Sequence, residues 1–262
     1  MTPPDPQPQP PEVTGPVLFA RYAFPPNHHG YCGPADTTGF LQLGLAGDDR
    51  GLRAMAQEFA GAWPYLELIA HGTGLDDPLD RRVVEAYWVG SPRLDRIGVR
   101  AIGNSMEDRF RWRSGPGFGS LAEGVLAGGV PHHSFAVFCI YPWVGLLGDD
   151  RRAAQALTVL DRCRIRWGRV LAVAGDQVSV EDRPLTWDGR QLGYGPPEVE
   201  IAVRAVDGVG LTSAPAVGDL VALHWEWICD KITERQARFL KAYTDRHMAI
   251  ANTARQPAAA LG

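Results

Sequence analysis

Two cysteines, one of which closely follows a pair of histidines in the sequence, are the residues of this chain best suited to chemistry. The first, Cys32, lies in the stretch Asn27-His28-His29-Gly30-Tyr31-Cys32-Gly33-Pro34. A helix is predicted to follow, and a thiol just ahead of a helix can have a depressed pKa. With His132 or His133 as the base, Cys32 could act as the nucleophile of a thiol hydrolase or acyltransferase.

The same residues could instead bind a metal ion, because imidazole and thiolate groups are ligands that suit iron, nickel and zinc. The candidate ligands in this part of the chain are His28, His29, Cys32, His132 and His133. Their linear spacing matches no strong metal signature. A third interpretation therefore stays open, in which Cys32 packs inside the protein and the histidines bond to loop carbonyls.

The second cysteine, Cys163, stands five residues before Gly168, where a segment rich in strand-forming residues begins. The last run of that segment reads Val217-Gly-Asp-Leu-Val-Ala-Leu-His-Trp225 and contains His224. A capping box at Thr233-Glu-Arg-Gln236 then predicts a helix to about His247.

This arrangement resembles the HypC/HupF-type chaperones of [NiFe]-hydrogenase assembly over roughly residues 162–245. In that family, a cysteine precedes the first barrel strand by the same offset, and the last strand carries Gly-Asp and a histidine. The resemblance implies that Cys163 holds the Fe(CN)2(CO) fragment, or binds the proteins that exchange it, and that His224 assists. A polarisable thiolate suits low-spin iron, and an imidazole can coordinate it or hydrogen-bond a cyanide. The chain differs from the family pattern at these positions: Cys163 is internal, and Trp167 stands where the family has a proline.

The whole chain also resembles an uncharacterised actinobacterial family associated with hydrogenase genes. The motifs that carry this resemblance are Tyr31-Cys32-Gly33-Pro34, His132-His133-Ser134-Phe135, Tyr141-Pro142-Trp143 and His224-Trp225-Glu226-Trp227. The expected function is therefore that of a maturation chaperone or carrier rather than an enzyme. Its partners would be the hydrogenase large-subunit precursor and other maturation proteins, and the thiol enzyme with Cys32 is the alternative.

Trp225 and Trp227 are two residues apart, so they would share one face if the last strand continues through them. They are then either core residues or an exposed anchor for a partner.

The elements that would position these residues indicate an α+β fold. We predict a disordered proline-rich tail over residues 1–16 and a mainly helical domain over 17–152. A small OB-like β-barrel with a C-terminal helix would follow over 153–250, and a flexible tail over 251–262. Within the helical domain, the prolines and glycines of residues 24–34 predict a loop. The five barrel strands are predicted at 163–173, 177–181, 190–192, 198–206 and 220–225.

Composition excludes several classes of protein. The 26 basic and 30 acidic residues give a net charge of −4 without any long basic run, which argues against nucleic-acid binding. No apolar stretch approaches the ~20 residues of a membrane-spanning helix. The four cysteines are too few for a disulfide scaffold, and the N-terminus lacks the features of a secretory signal. A cytoplasmic protein with reduced thiols is expected.

Overall fold

The computed structural model describes residues 13–98, 101–102 and 124–254, and it combines helices with a closed β-barrel, as the α+β prediction required. The helices before the barrel include α1 (Gly15–His28), α2 (Thr37–Ala46), α3 (Asp49–Ala56), α4 (Trp63–Thr73), α5 (Arg81–Trp88), α6 (His133–Phe135, continued by a π-helical turn at Ala136–Ile140), α7 (Trp143–Leu146) and α8 (Ala153–Cys163). A short 3-10 turn, Leu94–Arg96, follows α5.

Helix α1 is buried from Gly15 to Asn27, and its apolar residues Val17 to Phe24 occupy the centre of the main core. A helix that is apolar on every side belongs inside a protein, so it needs no amphipathic pattern. Its first turn is capped by Thr14, whose hydroxyl accepts a hydrogen bond from the Val17 amide at 3.3 Å. The proline-rich tail predicted to reach residue 16 therefore ends earlier, and residues 1–12 lie outside the described part of the chain.

The prediction of a loop over residues 24–34 is wrong at its start, because α1 continues through Pro25 and Pro26 to His28. Prolines near the end of a helix remove the N–H groups that would bond to carbonyls four residues earlier. Here packing compensates, since the Phe24 ring meets the Trp227 ring edge-on at a centroid distance of 5.2 Å.

The strands are β1 (Arg166–Ala174), β2 (Gln177–Asp182), β3 (Leu185–Trp187), β4 (Leu192–Tyr194), β5 (Glu198–Val203), β6 (Leu220–His224) and β7 (Trp227–Ile232). Five of them close a barrel in the order β1-β2-β5-β7-β6. Neighbours are antiparallel except β5 and β7, which are parallel at Val203 and Trp227. The closed five-stranded barrel with this strand order agrees with the OB-like prediction.

Two strand predictions need correction. The run at 190–192 belongs to the separate β3–β4 hairpin, and the fifth barrel strand is β7, which the sequence analysis did not predict. The last strand also does not continue through Trp225 and Trp227. Trp225 and Glu226 instead form a tight turn between β6 and β7, with His224 paired to Trp227.

Helix α9 (Glu234–Ala254) closes the described chain and begins at the second residue of the predicted capping box. The Gln236 amide donates to Thr233 Oγ1 at 3.2 Å, and the Thr233 amide donates to Gln236 Oε1 at 2.8 Å. Residues 251–254, predicted as flexible, belong to this helix, and residues 255–262 lie outside the described part. Among the described helices, none has the length and apolar character needed to cross a membrane.

The helical region and the barrel share one hydrophobic core. Residues of α1 and α5 pack in the same cluster as Ala222 of β6, Trp227 of β7 and Leu240 of α9. A second cluster lies inside the barrel and includes Val170, Val178, Val180 and Leu223. The barrel is therefore packed against the helices, and side chains from both regions can meet at their junction. The division into domains at residues 152 and 153 stays a prediction.

Candidate metal centre

His133, Cys163 and His224 come together at the junction between the helices and the barrel. Their ligand atoms all lie within 4.8 Å of one another, and this is a group within the described residues that could hold a metal ion. His133 is the first residue of α6, Cys163 is the last residue of α8, and His224 ends β6. Ligands so far apart in sequence are thus brought together by the packing of three elements.

The orientation of His224 leaves one ring nitrogen available. The side chain is fully buried, and its Nδ1 lies 2.7 Å from the Tyr22 carbonyl oxygen. A carbonyl can only accept, so Nδ1 carries the proton and Nε2 has a free lone pair. Nε2 is buried and has no hydrogen-bond partner. Such an unpaired nitrogen is costly to bury unless something binds to it.

The free carbonyl of Tyr22 follows from the sequence of α1. In a helix, the amide of residue 26 would donate to the carbonyl of residue 22, but Pro26 has no N–H. The Tyr22 oxygen is therefore left to accept from His224. This pairing resembles the carbonyl–histidine contacts that orient metal-bound imidazoles in many proteins.

His133 is held by contacts on both sides of its ring. Its Nε2 lies 2.8 Å from the Cys163 carbonyl oxygen, so Nε2 donates and Nδ1 carries the lone pair. The Tyr87 hydroxyl lies 3.3 Å from Nδ1. The Trp88 ring packs against both imidazoles, at centroid distances of 4.6 Å from His133 and 5.6 Å from His224.

Burial sets the protonation of these groups. Burial lowers the pKa of His133 to about 4 and lowers the pKa of His224 well below its usual value, so both imidazoles are neutral near pH 7. The residue Cys163 is half-buried as a whole, but its sulfur is surrounded by other atoms. This burial raises the pKa of the thiol to about 12, and Cys32 makes a smaller contribution. The cluster therefore holds one displaceable proton, on sulfur.

These residues fit a transition-metal ion. Ideal bonds of ~2.0 Å to nitrogen and ~2.3 Å to sulfur place tetrahedral ligands roughly 3.5 Å apart, so the observed spacing needs only small side-chain movements. The unpaired Nε2 of His224 and the neutral imidazoles match what such an ion requires. Three protein ligands also leave one coordination position open for an external ligand.

A buried ion network supports the turn that follows His224. Trp225 has a φ of 54°, a backbone conformation that is strained for a bulky residue. Arg166 donates a short hydrogen bond to the Trp225 carbonyl and forms ion pairs with Asp182, at 2.8 Å, and with Glu200. The guanidinium thus fixes the backbone beside His224.

Cys32 has no hydrogen bond, in the described part of the chain, from its sulfur to either of the histidines proposed as its base. Burial raises the pKa of its thiol to about 12, whereas the sequence analysis expected a depressed value. The residue itself lies at the surface, and Asn27 Nδ2 donates to its carbonyl at 2.9 Å. No hydrogen bond joins its sulfur to His132 or His133, all of which are described residues. The thiol-enzyme alternative gains no support from this geometry.

His132 belongs to a separate buried chain of hydrogen bonds. Ser134 Oγ lies 2.7 Å from His132 Nδ1 and 2.7 Å from His247 Nδ1. The Val130 amide donates to His247 Nε2 at 3.2 Å. These contacts tie the start of α6 to α9 and hold His133 in place.

The remaining predicted residues lie near the surface turn beside β6 and β7. The ring of His28 contacts Trp227, and His29 Nε2 lies 2.9 Å from a Glu226 carboxylate oxygen. Trp225 is stacked under Tyr31 at 4.7 Å and is 9% exposed, and Trp227 is 8% exposed. The two tryptophans therefore pack within the chain, and a role for them in binding a partner stays a prediction.

The structure joins predicted residues that the sequence analysis had kept apart. His133 was considered with Cys32, but it lies with Cys163 and His224. Linear spacing carries no signal for this pairing, because it depends on how α6 packs against the barrel. The one local signal in the sequence is the proline pair in α1, which leaves the Tyr22 carbonyl without a helical partner and so able to orient His224.

The comparisons with known proteins identify a family but supply no function. No curated protein matches the chain significantly, and no solved structure does either. A family model matches residues 11–258, which include all the described helices, the barrel and the candidate centre. The chain belongs to this family, which is described as a family of unknown function, DUF6390.

Proposed function

We propose that this protein is an accessory protein of [NiFe]-hydrogenase maturation that carries a metal fragment on Cys163, with His224 and His133 as further ligands. The observation that carries the proposal is the convergence of these three side chains within 4.8 Å at one buried junction. A thiolate and two imidazoles form a donor set for a late transition metal rather than for magnesium or calcium.

The number of ligands suits a carrier. A structural metal site is normally closed by four protein ligands, whereas three leave a position through which an external group can enter. The described residues supply three converging donors, so a metal would keep an exchangeable position here. Cargo such as Fe(CN)2(CO) brings its own carbonyl and cyanide ligands and would need few from the protein.

The link to hydrogenase rests on the resemblance to HypC/HupF-type chaperones. Two features of the fold support it: a closed five-stranded barrel follows Cys163, and His224 ends its β6 strand. A long helix, α9, follows the barrel. The helical region adds His133 as a third ligand. The proposed partners are the immature large subunit and other maturation proteins, in the cytoplasm.

Copurification under anaerobic conditions tests the proposal. The tagged protein is expected to retain the hydrogenase large-subunit precursor and to show cyanide and carbonyl stretching bands in the infrared. Cys163→Ala should lose both signals. Cys32→Ala is the matched control and should weaken retention less.

The two parts of the proposal fail separately. Metal bound without the precursor would overturn the hydrogenase assignment and leave a metal carrier for another client. Equal precursor retention by the Cys163→Ala variant would overturn the role of Cys163.

A further inference from the structure

A basic cleft lies between α5 with its following loop and the start of α9. It has a volume of about 550 Å³, within the range of ~300–1,000 Å³ found for small-molecule sites. Five cationic side chains line it: Arg81, Arg82, Arg93, Lys231 and Arg235. The protein as a whole carries a net charge of −4, so this concentration of positive charge is local.

The two carboxylates that line the cleft offset these cations only in part. Asp230 is already paired with Arg21, which lies outside the lining, at 2.9 Å. Glu85 accepts a hydrogen bond from Gln236 at 2.8 Å, and because that amide is neutral, Glu85 can offset one of the cations.

Among the described residues, three of the five cations have no ion-pair partner, so positive charge remains for an external anion even with Glu85 counted against them. Arg82 is paired with Asp80 and Lys231 with Asp219. Within the described part of the chain, Arg81, Arg93 and Arg235 form no ion pair.

Two further features belong to a ligand site for an anion with an attached ring. The N-terminus of the 21-residue helix α9 lies at the cleft, where its partial positive charge adds to that of the arginines, although the Gln236 amide is already bonded to Thr233. Phe239 also lines the cleft, and the Arg235 guanidinium lies over its ring at 5.4 Å. A planar ring could stack on this pair while its anionic group meets Arg81 and Arg93.

We infer that this cleft binds a small organic phosphate, with the phosphate groups held by Arg81 and Arg93 and a ring against Arg235 and Phe239. Arginine presents paired N–H donors that match phosphate oxygens, which favours phosphate over a single carboxylate. The inference does not depend on the metal centre, because none of the proposed ligands lines the cleft.

Calorimetric titration of the metal-free protein with ADP, pyrophosphate and adenosine tests the inference. ADP should bind, pyrophosphate should bind more weakly, and adenosine should not bind. Arg81→Ala and Arg93→Ala should each weaken ADP binding about tenfold, the loss of one good charge-assisted contact. Arg151→Ala, an exposed arginine outside the cleft, should change it less than twofold.

Four results would overturn the inference. They are the absence of ADP binding at millimolar concentration, equal binding by the Arg81 and Arg93 variants, binding of adenosine as strong as that of ADP, and binding of a glutamate-rich peptide in place of the phosphates. Circular dichroism of each variant establishes that it is folded.

Discussion

At the scale of single residues, the candidate centre depends on which nitrogen of each histidine carries a proton. His224 donates through Nδ1 to the Tyr22 carbonyl, and His133 donates through Nε2 to the Cys163 carbonyl. Both bonds leave a lone pair on the second nitrogen, which has no hydrogen-bond partner among the described residues in His224 and faces the Tyr87 hydroxyl at 3.3 Å in His133. The Tyr22 carbonyl has no partner within the helix because Pro26 has no N–H. Pro26 therefore helps to orient His224, although it has no functional group of its own.

Replacing Pro26 tests this arrangement. In Pro26→Ala, the new amide can donate to the Tyr22 carbonyl and compete with His224, so metal affinity should fall about 10-fold to 100-fold. Pro25→Ala is the matched control, because its amide faces a different carbonyl and should leave metal affinity unchanged. Competition titration with a chromophoric chelator measures both. Equal affinities in the two variants would show that the carbonyl does not orient His224.

The pH dependence of metal binding follows from the same residues. At pH 7 and above the imidazoles are neutral, since burial holds the pKa of His133 at about 4 and that of His224 well below its usual value. The Cys163 thiol, with a pKa of about 12, must lose its proton. Affinity for a divalent ion should therefore rise about tenfold per pH unit, one proton being released. A flat profile, or a slope of two protons, would contradict this protonation pattern.

At the scale of elements, the barrel could be predicted in part from its sequence. The positions of β1, β2, β5 and β6 follow from runs of strand-forming residues between glycine turns. Strand β7 could not be predicted in the same way, because no glycine marks the turn before it. Trp225 takes the left-handed conformation at this turn, which a residue other than glycine rarely does. Helix α1 was missed at its end because packing of Phe24 outweighs the preference of a proline pair for a loop.

The ion network around Arg166 should stabilise the folded conformation of the barrel end beside His224. Arg166→Met leaves Asp182 and Glu200 without their buried partner and should lower the free energy of unfolding by about 3–5 kcal/mol. The double variant Arg166→Met/Asp182→Asn removes the charge left unpaired, since Glu200 keeps Arg162 as a partner, and should recover much of that loss. Urea denaturation measures both. A double variant no more stable than the single one would mean that packing of Arg166, not charge, supports this end of the barrel.

At the scale of the whole molecule, the centre exists because helices and barrel share a core. No single element carries two of the ligands His133, Cys163 and His224. The sequence therefore predicted the pair Cys163 and His224 through a family resemblance, and it named His133 only with other partners. Contacts across such a junction are long-range, and local periodicity contains no information about them.

Burial of four histidines should make the protein sensitive to acid. The pKa is lowered to about 3 in His132 and to about 4 in His133, and it lies well below its usual value in His224 and His247. Because the unfolded state binds more protons, stability is full above the unfolded pKa of ~6.5 and falls as the pH drops towards these values. Each histidine contributes up to ~1.4 kcal/mol per pH unit.

Denaturation of the metal-free protein between pH 4 and 7 measures this slope. His247 lies outside the proposed centre. The substitution His247→Gln should reduce the pH dependence of the unfolding free energy by the contribution of one histidine, up to ~1.4 kcal/mol per pH unit. An unchanged slope in that variant would mean that other groups dominate the acid response.

X-ray absorption spectroscopy of the zinc-loaded protein is the most direct test of the proposed centre. The expected spectrum contains one sulfur at about 2.3 Å and two imidazole nitrogens at about 2.0–2.1 Å. Cys163→Ser should remove the sulfur and Cys32→Ser should keep it. A metal bound without sulfur, or a sulfur that persists in Cys163→Ser, would contradict the assignment of His133, Cys163 and His224 as its ligands.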